Sequence, residues 1–267
     1  MSNNIFFERG QMADKPNNYL WNGDCLELMK DIPDKSIDAI ICDLPYGTTA
    51  CKWDSIIPFE PLWEQYKRII KDNGAIVLFG AEPFSSALRF SNIKWWKYDW
   101  KWIKDKGSNF GVAKYRPINT SEDVMVFSRK VLKYNPQMRV TDKKSNRGGK
   151  AKIKESSVYG KNGFKQSYRD TNIKYPINCI KFNTPKHNDK KNGSLHPTQK
   201  PVDLLEYLVK TYTNENDWVL DNTCGSNTTG IACYDLNRNY IGIEKDIDIY
   251  NVAKERVEKN ILLRANE

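Results

Sequence analysis

The 267-residue chain predicts an α/β fold on a mostly parallel sheet, and three observations carry that expectation. Asp38 to Cys42 is a short Ile-rich run of the kind found in strands covered on both faces, and it stops at the carboxylate of Asp43. Helical and strand patterns then alternate from Pro58 to Phe90. Near the C-terminus, Trp218–Asp221 reads as a strand followed by a Gly/Ser/Thr-rich turn, a helix from Ile231 and a further strand, Asn239–Glu244.

Taken in order, residues 1–17 form a polar lead-in. Tyr19–Trp21 suits a short strand, and Leu26, Leu28 and Met29 suit a helix that stops before Pro33. Asp24 between them is a favoured helix N-cap. After Asp43, Pro45 stiffens the turn, and Tyr46 and Gly47 follow at once. Thr48–Ile57 has no periodicity and reads as a loop, with Trp53 either over a site or folded onto the core. Pro58–Lys71 carries an apolar stripe of Leu62, Tyr66, Ile69 and Ile70 and is expected to end at Asn73-Gly74. Ala75–Phe79 is a buried strand and Phe84–Phe90 a helix. Tyr98–Ile103 alternates as a strand should and pairs with Asp123–Phe127 across an expected polar loop, 104–122. Val202–Tyr212 presents Leu204, Leu205, Leu208 and Val209 on one helical face. In the closing helix Tyr250, Ala253 and Val257 share a side.

Composition narrows the class. No window reaches the apolar length of a membrane span, and the N-terminus lacks the plan of a signal peptide, so a cytoplasmic protein with no membrane partner is expected. Six cysteines occur without a C-x-x-C pair, which indicates neither a zinc site nor a disulfide framework and fits a reducing compartment. The net charge is +9, yet residues 139–191 hold 15 Lys and Arg against 4 Asp and Glu, so this segment carries +11 and the remainder −2. Its cations (Lys143, Lys144, Arg147, Lys150, Lys152, Lys154, Lys161, Lys165, Arg169) alternate with rings and amides, a pattern suited to phosphates and base edges. A solvated loop is the plainer alternative.

The turn after the first strand offers a carboxylate, exposed carbonyls and an aromatic ring at the end of a strand where open α/β sheets bind ligands. Acceptors beside a stacking surface suit a planar base carrying an exocyclic amine. Asp43-Leu44-Pro45-Tyr46 resembles the Asp/Asn/Ser-Pro-Pro-Tyr signature of the amino-group DNA methyltransferases, departing from it only at Leu44. The resemblance continues in W-x-K-x-x-G from Trp102, in Asp123–Lys130, and in His196-Pro197-Thr198-Gln199-Lys200-Pro201. It covers roughly residues 19–259, in the chain order of the family's beta group.

The resemblance implies a Rossmann-like methyltransferase fold, a mostly parallel seven-stranded sheet with one antiparallel strand and helices on both faces, formed by residues 1–130 and 192–267. Residues 131–191 correspond to a small basic target-recognition insertion. It further implies transfer of a methyl group from S-adenosylmethionine to N6 of adenine in double-stranded DNA, with Asp43, Leu44, Pro45 and Tyr46 gripping the flipped base. The cofactor set is then Asp24, His196, Thr198, Lys200, Asp221, Thr223, Gly225, Ser226, Asn227, Thr228 and Glu244. No metal is expected. A homodimer and a cognate restriction endonuclease are partners the family admits. Asn222, Thr223 and Asn227 depart from the family's Asp-Pro-Phe-x-Gly-Ser-Gly-Thr, although Asn tolerates the positive φ that the last Gly would supply. N4-cytosine methylation, an inactive DNA-binding relative and protein-glutamine methylation are the alternatives.

Overall fold

The structure, a computed structural model, describes residues 17–47, 54–108, 110–141, 172–186 and 199–264. They fall into two compact units: one takes the chain up to Asn135 and again from Asn178, and the other lies between Pro136 and Ile177.

In the larger unit, β1 (Asn18–Asn22) leads through a short helix α1 (Cys25–Leu28) to β2 (Ile37–Cys42). Helix α2 (Phe59–Ile69), β3 (Ile70–Gly80) and α3 (Phe84–Ser91) complete the first cycle, and β4 (Trp96–Ser108) and β5 (Asn119–Phe127) form a hairpin. The smaller unit contributes β6 (Arg139–Val140) and β7 (Ile173–Lys174), an antiparallel pair in which Thr141 N–H also donates to the Asn172 carbonyl at 2.8 Å. The larger unit resumes with β8 (Cys179–Lys181), α4 (Val202–Tyr212), β9 (Trp218–Asp221), α5 (Thr228–Asp235), β10 (Asn239–Glu244) and α6 (Ile247–Arg264).

Eight strands share one sheet in the order β1-β10-β9-β2-β3-β5-β4-β8. The pairs from β1 to β3 are parallel, β5 runs against both β3 and β4, and β8 is parallel to β4. One strand is therefore antiparallel, as expected, and the eighth is a three-residue edge, β8, within the stretch read from sequence as insertion.

Successive residues of β2 face opposite layers. Ile40 and Cys42 pack with Leu62, Trp63, Tyr66 and Ile69 of α2, whereas Ala39 and Ile41 pack with Leu204, Leu205, Leu208 and Val209 of α4. All six residues of β2 are buried, which explains an apolar run without polar alternation. Each fully buried Ile contributes roughly 1.5–3 kcal/mol of transfer free energy.

Two sequence expectations need correction. Helix α2 ends at Ile69, and Ile70 already belongs to β3, paired with Ile37. Asn73-Gly74 is thus no helix stop. Gly74 is required by close approach, since a Cβ there would lie 2.7 Å from two Ile70 side-chain atoms and 2.8 Å from the Asp38 carbonyl oxygen. The expected loop 104–122 is largely strand: β4 runs on to Ser108 and β5 starts at Asn119, because polar Lys104 and Glu122 turn inward and find partners there.

Gly74→Ala is expected to cost about 1–3 kcal/mol through overpacking against backbone and a core Ile. A urea titration that leaves the midpoint unchanged would contradict the steric account.

Candidate active site

Four parallel strands deliver four carboxylates to one edge of the sheet. In spatial order β1, β10, β9 and β2 are followed by or end in Asp24, Glu244, Asp221 and Asp43. These strand ends open onto one cleft of about 800 Å³, lined on the β2 side by Asp43, Leu44, Pro45 and Tyr46 and on the β9 side by Asp221, Thr223, Gly225 and Ser226. The catalytic turn and the glycine turn inferred from sequence therefore share a cavity. Asp24, Lys200, Thr228 and Glu244 also line it. Asn227 does not: it is buried at φ +62°, and it supplies the left-handed turn that precedes α5. His196, Thr198, Trp53 and the nine basic residues Lys143, Lys144, Arg147, Lys150, Lys152, Lys154, Lys161, Lys165 and Arg169 lie outside the described residues.

Asp43 is held from both sides. The Tyr46 hydroxyl donates to Oδ1 at 2.7 Å, and the Lys200 ammonium donates to Oδ2. Burial pushes the Asp43 carboxyl up, and the Lys200 charge opposes that shift. Tyr46 stacks on Phe84 with ring centroids 5.0 Å apart and planes 24° apart, which fixes its ring beside the carboxylate. Gly47 closes the turn at φ +66°, and its N–H donates to Asp54 Oδ1 at 2.8 Å.

The glycine turn is braced against the β2 end. Thr223 Oγ1 donates to the Asp43 backbone oxygen at 3.0 Å, so the residue standing where the family has Phe ties the two turns together. Asn222 Oδ1 accepts from the Tyr66 hydroxyl at 2.6 Å and from the Cys42 thiol at 3.2 Å, linking the turn to α2 and β2 in place of the stiffness a proline would give. Glu244 accepts from Gly225 N–H at 3.0 Å and from Asp246 N–H at 2.9 Å; burial nevertheless raises its pKa. Arg256 of α6 donates to the Ser226 carbonyl at 2.8 Å and to Thr228 Oγ1 at 2.9 Å.

Asp24 caps α1 by accepting from Leu26 N–H at 2.9 Å and pairs with Lys245 at 3.0 Å. Partial burial works against its charge, but these donors outweigh it and leave the carboxyl below its ordinary value. Cap and cleft wall are compatible roles for one residue.

Sequence reasoning missed Glu122, Lys104 and Arg256. Tyr98, Trp100, Trp102 and Lys104 share the parity of one strand face, and Glu122 stands opposite Trp102. A charged residue continuing an inward-facing aromatic row was the available signal; Arg256, on a largely polar helix, gave none.

The model of the DNA methylase family, N6_N4_Mtase, matches residues 37–255. The chain belongs to this family. Among curated relatives, Type II methyltransferase M1.MboII of Moraxella bovis is 29% identical over 249 residues, covering 86% of this chain and 92% of the relative. Type II methyltransferase M.HpaI of Haemophilus parainfluenzae is 28% identical over 247 residues, covering 87% and 72%. Of solved structures, the M1.HpyAVI–SAM complex superposes with a TM-score of 0.60 at 24% identity over 90% of this chain and 98% of that one. The cytosine-N4-specific PvuII DNA methyltransferase gives 0.65 at 16% identity over 95% and 94%. Both likenesses bear on the fold, which this DNA methylase shares with them.

Within the methylase cleft, Asp221 is an acid strongly altered by its surroundings. Burial pushes its carboxyl up to about 7, against hydrogen bonds from Thr229 Oγ1 at 2.6 Å and Thr223 N–H at 3.2 Å. Unfolded, it would titrate near 3.9. Between those values the native state retains a proton that the unfolded chain has lost, so native stability falls as pH rises from about 4 to about 7, by of order 2–4 kcal/mol. Asp221→Asn is expected to flatten this slope in urea melts of the ligand-free protein at pH 5 and pH 8; an unchanged slope would assign it elsewhere.

Proposed function

We propose that this methylase transfers a methyl group from S-adenosylmethionine to the exocyclic N6 of adenine in double-stranded DNA, after the base has been turned out of the helix. The observation that carries the reading is the shared cleft, with the Asp43–Tyr46 turn on one wall and the Gly225–Glu244 corner on the other.

The chain's residues fit the cofactor. Gly225 sits at φ +52° with no heavy atom beyond its own chain neighbours within 4 Å of the place its Cβ would occupy, which leaves an open cradle at the head of α5. Backbone N–H groups at that helix start, and the acceptors Glu244 and Asp24, suit a ligand with hydroxyl and carboxylate groups. Leu26, Ile57 and Ile249 also line the cleft and supply apolar surface to a site that lacks the family's Phe. Gly225, Ser226, Thr228, Asp221 and Glu244 would hold the group, with His196 and Thr198 expected from their motif. When bound, S-adenosylmethionine supplies an electrophilic methyl on a positively charged sulfur.

The protein's part is to present the amine. Turning out the base costs a few kcal/mol, which stacking on Tyr46 offsets in part. Asp43 and a carbonyl of Leu44 or Pro45 accept the two amine hydrogens and draw the nitrogen lone pair out of ring conjugation. Asp43 also stabilises the positive charge that grows on that nitrogen. Holding both partners in near-attack geometry can contribute on the order of 7–11 kcal/mol.

The same acceptors would grip N4 of cytosine. Preference for adenine rests on Asp rather than Ser at the head of the tetrapeptide. The basic stretch within 131–191, read as target recognition, supplies phosphate-neutralising charge. A cognate restriction endonuclease is the partner that the relatives' Type II class suggests.

Asp43→Ala is expected to lower methyl transfer to DNA by at least ~10²-fold while calorimetric uptake of S-adenosylmethionine stays within a few-fold. Methylation-sensitive sequencing of DNA from cells expressing the wild type is expected to show N6-methyladenine; modified cytosine alone would overturn the choice of base.

A further inference from the structure

The Asp43 carboxylate does not face the cleft unoccupied. Its Oδ2 is taken by the Lys200 ammonium, which poses a chemical difficulty for the amine-presenting reading above. A retained ammonium competes with the incoming amine for that oxygen. It also sets a positive charge beside a nitrogen that must itself become positive as the methyl arrives. Tyr46 on Oδ1 raises no such problem, being neutral and fixed by its ring.

Lys200 has a second carboxylate within reach. Its Nζ lies 3.5 Å from Glu122 Oε2, in a setting where the Lys200 and Glu122 side chains are only 9% and 13% exposed. Glu122 Oε1 accepts from the Lys104 ammonium, whereas Oε2 is buried and meets the Lys200 ammonium only at the 3.5 Å of that ion pair, with no closer donor among the described residues. A buried carboxylate oxygen whose donor stands this far off is under-satisfied, and a closer approach of the ammonium would relieve it. Asp43, Lys200, Glu122 and Lys104 form a chain of alternating charge along the cleft, and Glu122 Oε2 is its loosest link. The Phe79 ring, its centroid 5.3 Å from Lys200 Nζ, offers the ammonium a favourable surface where it stands between the two carboxylates.

We propose that Glu122 is a positioning residue for methyl transfer: its Oε2 receives the Lys200 ammonium when a substrate amine takes over Asp43 Oδ2. No proton changes owner in the exchange. Lys200 keeps its three hydrogens and trades one carboxylate for another, so Asp43 stays ionised before the base arrives and regains its full acceptor strength once the base is there. The proposal rests on the methyl-transfer reading.

Glu122→Gln tests it sharply. The amide oxygen can still accept from Lys104, but an NH₂ group replaces the waiting acceptor and turns donors toward the ammonium. With unmethylated genomic DNA as substrate, kcat is expected to fall at least ~10-fold while KM for S-adenosylmethionine stays within about threefold. Combined with Lys200→Met, the loss should not multiply: with no ammonium to receive, the double variant should be no slower than Lys200→Met alone. Glu122→Asp, which keeps the charge, should recover most of the rate, and it provides the reading if the Gln variant fails to fold.

A wild-type kcat in Glu122→Gln, multiplied losses in the double variant, or an Asp variant as slow as the Gln variant would each overturn the proposal and leave Glu122 a structural partner of Lys104. A wild type that binds S-adenosylmethionine yet methylates no DNA would instead sink the reading beneath it, and this inference with it.

Discussion

The pairing of Asp43 with Lys200 is the interaction around which the cleft is arranged. A carboxylate at the end of a fully buried strand would tend to take up a proton, and a neutral acid is a poor acceptor for an amine. Burial does push Asp43 in that direction, and the ammonium opposes it. The arrangement has a geometric cost, because Lys200 must be brought from 157 positions away in sequence to the tip of β2. Helix α4, packed across Ala39 and Ile41 by its leucines, starts immediately after the Lys200-Pro201 step and sets that placement.

The remaining contacts keep the two walls at a fixed separation. Thr223 on the Asp43 backbone oxygen, Asn222 between Tyr66 and Cys42, and Arg256 on the Ser226 carbonyl tie the six-residue turn 222–227 to β2, α2 and α6. Two of these three groups are residues at which the chain departs from its family's cofactor sequence. The departures exchange a ring for hydrogen bonds: proline's stiffness and phenylalanine's packing are replaced by a side-chain lattice that locks the turn to β2.

The legible parts of the fold were those governed by a single periodicity. β2, β9 and β10 are buried runs that end on acids, and α4 carries a clean apolar face, so their places and the carboxylates beyond them follow from the residues. Asn227 was legible for a backbone reason, its φ of +62° matching the tolerance that singled it out. The start of β3 was not. Lys71, Asp72 and Asn73 resemble the polar end of a helix; they lie in the register shift between the Ile70–Ile37 and Ala75–Ala39 pairs that hold β3 to β2, which no local pattern announces. The polar halves of β4 and β5 escaped for the opposite reason: their charges point at one another inside the molecule, and local pattern cannot distinguish that from solvent exposure. The link from Lys200 to Glu122 is likewise a tertiary fact with no local signature.

The row of acids along the sheet edge has an electrical consequence. Asp221 feels the charges of Asp43 and Glu244, so ionising any one of the three makes the next harder to ionise. Hydrogen ions and a positive charge placed beside this row would compete for the same carboxylates. In the pH range where Asp221 still holds its proton, a positive charge brought beside it favours the ionised form, so a guest carrying that charge sheds hydrogen ions on binding and is held less tightly in acid.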